Sequence, residues 1–76
     1  MKNNKLEIEL SSPPDREKLV ASILVEHQQW AEINAESEVL TLELYPRPDG
    51  QPWVFSLDDA LGAIQEAKRR LVERLG

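Results

Sequence analysis

Apolar and polar residues alternate from Lys5 to Leu10, with Leu6, Ile8 and Leu10 on one side of an extended chain and Glu7 and Glu9 on the other. That is the pattern of a half-buried β-strand. Ser11-Ser12-Pro13-Pro14-Asp15 ends it, because proline cannot donate to a β-ladder. At the far end the period changes. Leu57, Leu61, Ile64, Leu71 and Leu75 recur at helical spacing, with Ala60 and Ala67 beside them. Ser56 with Asp59 three residues on is a capping-box variant. Asp58 and Asp59 suit the positive helix end, and Lys68, Arg69, Arg70 and Arg74 suit the negative one. The spacing predicts a helix over Leu57–Leu75.

Residues 15–38 admit two readings. In the first, Ser12-Pro13-Pro14-Asp15 starts a helix, with proline in its first turn. Leu19, Val20, Ile23, Leu24, Trp30 and Ala31 would then share one face, and the topology would be a βαββα two-layer sandwich. In the second, a capped turn leads into two strands. A hairpin over His27-Gln28-Gln29 would set Val25 opposite Ala31, Ile23 opposite Ile33 and Ala21 opposite Ala35. The loop Glu36-Ser37-Glu38-Val39 would then set Ala35 opposite Leu40, Ile33 opposite Leu42 and Ala31 opposite Leu44. This register matches apolar to apolar across three strands. Against it, neither loop has the Gly or Asn-Gly of tight turns, and Gln and Glu are good helix formers.

Leu40–Tyr45 reads as a strand either way. Pro46-Arg47-Pro48-Asp49-Gly50-Gln51-Pro52 is a turn that cannot be helix, and Trp53-Val54-Phe55 reads as a short strand entering the Ser56 cap. The fold expected is α+β: an antiparallel meander of four or five strands with one long C-terminal helix on one face, in a single domain over 1–76. A chain of 76 residues buries only about 60% of its unfolded surface, so its margin is thin and a homodimer interface would add to it.

Leu19-Val20-Ala21, Trp30-Ala31-Glu32-Ile33 with Glu36, Leu44-Tyr45-Pro46, and Asp59-Ala60-Leu61 with Ala67-Lys68 and Leu71 together resemble a group of small bacterial proteins akin to toxin-immunity proteins. The chain departs from that pattern at Asn34 and Ser37-Glu38, where glycine is expected. The resemblance implies a meander of central strands and a non-catalytic protein that binds a toxin.

Composition narrows the chemistry. The absence of cysteine removes disulfides and thiolate metal sites. The basic start, Met1-Lys2-Asn3-Asn4-Lys5, is not followed by the apolar stretch of a signal peptide, and no run approaches the length of a membrane span. A cytoplasmic location is therefore expected. A net charge of −5 argues against non-specific nucleic-acid binding and suits a basic partner. His27, the only histidine, has no nucleophile or carboxylate constellation near it in sequence. The glutamates fall mostly on strand faces turned to solvent. Asp49-Gly50 is a turn signal without the glycines of a phosphate cradle. The Lys68-Arg69-Arg70 cluster is accounted for by the helix dipole and by pairing with Glu66 and Glu73. No catalytic residue, cofactor or metal is expected.

The aromatic residues carry the positive expectation. If Ala31 and Ile33 turn toward the helix, Trp30 turns away, onto a face shared with Leu24, Glu26 and Glu32. Tyr45 then lies with Thr41 and Glu43. One helix covers one sheet face, so the other would offer an apolar centre with a polar rim, as recognition surfaces do. The expected protein-binding residues are Trp30, Tyr45 and Trp53 as anchors, with Glu32, Glu36 and Glu43 as rim or paired charges. The partner would be a basic protein or a second copy, the latter through the open face or an edge strand.

Overall fold

The computed structural model describes residues 6–75; Lys5 and the basic start, which the sequence reading used, lie outside the described residues. The chain forms β1 (Leu6–Ser11), β2 (Val20–Val25), β3 (Gln28–Asn34), β4 (Thr41–Leu44) and α1 (Leu57–Leu75). The strands make one antiparallel meander in the order β1-β2-β3-β4. Residues 15–38 thus take the strand reading, and the βαββα alternative does not form. The helix has the predicted ends. Ser56 caps it, accepting from the Asp59 N–H on its hydroxyl (3.4 Å) and from the Ala60 N–H on its carbonyl (3.0 Å).

β1 leans on β2 with Ile8 opposite Ile23 and Leu10 opposite Ala21, and β3 meets β4 in the expected register, with Ile33 opposite Leu42 and Ala31 opposite Leu44. The β2–β3 hairpin departs from expectation. Ile23 faces Ala31 and Ala21 faces Ile33, because the turn takes only Glu26 and His27, with Val25 opposite Gln28. Both turn residues have positive φ, 50° and 71°, as a two-residue turn matched to strand twist requires. That turn alone would set Ile23 against Trp30 and put Glu32 on the core side. An irregularity between Ile23 and Leu24 inserts one extra β3 residue and restores the parity that buries Ala31 and Ile33.

The bulge decides where Trp30 goes. Expected on the face away from the helix, it instead packs against the core cluster beneath α1. That cluster holds Ala21, Ile23, Ala31, Ile33, Ala63, Ala67 and Leu71. Four alanines let the helix lie close to the sheet, while Ile23 and Leu71 supply the bulk. Each such large side chain contributes roughly 1.5–3 kcal/mol by leaving water. The helix covers β1 and β2, touches β3 and does not reach β4.

Trp53-Val54-Phe55, expected as a short strand, joins no sheet. Pro46, Pro48 and Pro52 remove ladder donors around it, and side chains anchor it instead. Phe55 meets Trp30 edge-on at 4.8 Å, and the Trp53 indole N–H donates to the Tyr45 carbonyl at 2.9 Å.

Non-glycine residues with positive φ carry strain of order 1 kcal/mol each. Replacing Glu26-His27 by Asn-Gly should therefore raise stability by about 1–2 kcal/mol. Thermal unfolding of the double variant checks this; an unchanged or lowered midpoint would contradict the turn.

Candidate functional site

On the sheet face turned from the helix, Glu32 and Glu43 are direct cross-strand partners. Two carboxylates so placed repel. The connection between β1 and β2 supplies the answer. Arg16 reaches both, at 2.9 Å to Glu32 and 2.8 Å to Glu43. The Asn34 amide also donates to both, at 3.0 and 2.7 Å, and the Tyr45 hydroxyl donates to Glu32 at 3.2 Å. Burial, followed by the charge of Glu32, pushes the Tyr45 phenol above its usual range. Glu36 holds the same connection, accepting from the Glu17 and Lys18 backbone N–H groups.

This arrangement corrects the expected open face. Glu32 is 5% exposed and Asn34 is 2% exposed, with Val20 and Ser22 also buried on that side. A buried carboxylate persists only with charge and hydrogen-bond partners, and here those partners fold over the middle of the sheet. Of the six residues expected to bind protein, Glu32, Glu43 and Tyr45 gather around Arg16, and Glu36 fastens the loop that carries Arg16. Trp30 and Trp53 gather around Phe55 instead, Trp53 stacking on it at 6.0 Å with the Arg47 guanidinium 5.8 Å from the indole centroid. The six therefore fall into two clusters tied to other parts of the chain, with Glu32 buried, Glu36 exposed and the others half-buried, rather than one exposed patch.

His27 stands exposed at the hairpin tip. Among the described residues no group of three or more His, Asp or Glu side chains could hold a metal ion, and no helix is long and apolar enough to cross a membrane. Two members of the basic cluster on α1 are engaged within the helix. Arg69 pairs with Glu66 and Glu73, and Arg70 pairs with Glu66.

The exposed apolar surface lies elsewhere. α1 carries its core stripe at Ala63, Ala67 and Leu71, and a second stripe beside it at Leu57, Leu61, Ile64, Val72 and Leu75, interrupted only by Lys68. Ile64 and Lys68 share a groove of about 240 Å³ with Ile33, Leu40, Thr41 and Leu42. Since the helix stops short of β4, the leucines on that strand's helix side stay uncovered, Leu42 at 43% and Leu44 at 62% exposed. Leu57 is 72% and Leu61 48% exposed on the facing flank. The sequence reading missed this surface, although its signal was present: the helical apolar arc is wider than one sheet contact needs.

Comparison with protein-family models, with curated proteins and with solved structures gives no match to this chain.

Two outcomes follow from this geometry. Asn34→Ala should cost about 2 kcal/mol in urea unfolding, since it strips a buried donor shared by two glutamates; no loss would mean the network does not hold that face. Arg69 and Arg70 together hold the exposed Glu66 carboxyl at a pKa of about 2, below its ordinary 4.5. A depressed carboxylate stabilises above its unfolded pKa and loses that effect as pH falls through the folded one. Helix content should therefore drop from about pH 4.5 toward pH 2 in the native chain and shift less in Glu66→Gln, as circular dichroism would read.

Proposed function

We propose that this chain is a non-catalytic protein-binding domain whose contact surface is the apolar groove between α1 and β4. The observation that carries it is a groove lined by Ile33, Leu40, Leu42 and Ile64, with further exposed leucines on the helix flank at Leu57 and Leu61 and on the edge strand at Leu44. Soluble monomers rarely leave such a contiguous patch to water, and one rimmed by polar groups marks an interaction site. Here Thr41 and Lys68 sit on the rim. The acidic and aromatic residues first expected to bind contribute differently in this reading: they lock the connections that hold β4 and α1 apart.

The toxin-immunity role implied by the resemblance is one form such binding would take, and the net charge of −5 would speed encounter with a basic protein. A photoreactive residue introduced in living cells at Leu44 or Leu61 should yield a discrete protein adduct, whereas one at Glu9, exposed on the far side of the sheet, should not. Equal labelling from all three positions, or none from the groove, would defeat the proposal.

A further inference from the structure

Resting on the protein-binding reading, we infer that the partner at this surface is a second copy of this chain, joined β4 to β4 about a two-fold axis at Leu42. The first support is that β4 is an edge whose helix side carries leucine, not charge. Natural edge strands are usually blunted by lysine, proline or a bulge. The other edge, β1, has its apolar side chains covered by α1, so it does not present the same surface.

The second support is the direction of the backbone groups. Tyr45 N–H donates inward, to Trp30 of β3, at 2.9 Å. In an antiparallel ladder the direction alternates. Glu43 and Thr41 therefore also bond inward, to their β3 partners Glu32 and Asn34. Leu40, Leu42 and Leu44 turn their N–H and C=O groups outward, beyond the last strand of the sheet.

The third support is that the sequence discriminates among self-pairing registers. Opposed residues share a face, so a two-fold axis must pass through a residue. At Leu42 it sets Leu42 on its own copy, Leu40 on the partner's Leu44 and Thr41 on the partner's Glu43. Every outward-turned leucine then joins a hydrogen-bonded pair. At Glu43 the axis would put two glutamates face to face, a destabilising pair. At Leu44 it would set Leu42 against Pro46, which has no N–H to give. Of the self-pairing registers only the first pairs all three outward-turned leucines with one another; an axis at Thr41 would leave Leu44 against Glu38.

The result is one continuous sheet of two copies with both helices on the same side. The leucines of the two β4 strands form a shared floor, and the flanks bearing Leu61 and Ile64 face one another across it.

The chain contains no cysteine, so single cysteines can read the register. Opposed hydrogen-bonded residues lie about 5.5 Å apart at Cα, within disulfide reach. Cysteine at each position from Leu40 to Leu44, and at Glu9 as a control, should give fastest disulfide-linked dimer at Leu42. Sedimentation of the native chain at micromolar concentration should give twice the chain mass. Leu42→Lys, which sets two ammonium groups together at the axis, should weaken association on the order of a hundredfold with an unchanged circular dichroism spectrum; Leu44→Lys serves if that variant does not fold. A monomer throughout, or a dimer that crosslinks fastest at any scanned position other than Leu42, overturns the inference. A monomer whose groove still labels a different protein in cells removes the second copy and leaves the protein-binding reading standing; absence of both removes the two together.

Discussion

The hairpin between β2 and β3 is the constraint on which the rest is arranged. Its two-residue turn fixes a register one residue out of step with the apolar pattern of β3, and a strand cannot slip by one without exchanging its faces. The chain resolves the conflict locally, by a bulge beside Trp30. Ala31 and Ile33 then return to the core, Glu32 and Asn34 turn to the other face, and Trp30 stays on the helix side. From Ala31 and Ile33 the register passes unchanged to β4, so the hairpin also decides which way Leu42 and Leu44 point.

Glu32 and Glu43, set opposite each other by that register, need a cation between them. Arg16 supplies it from a connection remote in sequence, and the loop carrying it covers the centre of the face. Glu32 and Glu43, expected on a recognition surface, are thereby paired within the fold. Trp30, Phe55 and Trp53 likewise fasten the proline-rich connection back to the sheet. Both clusters stabilise long connections that have no ladder of their own, which a chain this small cannot leave loose.

The helix is left with more apolar surface than its sheet can cover. α1 is centred over β1 and β2, where small residues allow close packing, and its second stripe overhangs toward β4. An uncovered helix flank beside an uncovered edge strand forms a groove with both backbone hydrogen-bonding groups and leucine side chains to offer. That combination is what the proposed partner would use, adding a strand and burying side chains together.

The sequence by itself determined the elements whose signal is local. Alternation gave β1, the Ser56 cap and the leucine spacing gave α1 to its ends, and matched apolar pairs gave the β3–β4 register. Those features depend on neighbours within a few residues or, for β3 and β4, on apolar positions matched across one short loop, so composition and period suffice. The β2–β3 register, the burial of Glu32 and the place of Trp30 were decided only in three dimensions. A turn of Glu26 and His27 at positive φ has no propensity signal, a bulge is the difference between two competing registers, and Arg16 meets Glu43 across 27 positions of chain. Which stripe of α1 remained outside was equally a tertiary outcome, because an apolar arc on a helix states how much surface seeks cover and not how far the sheet extends to provide it.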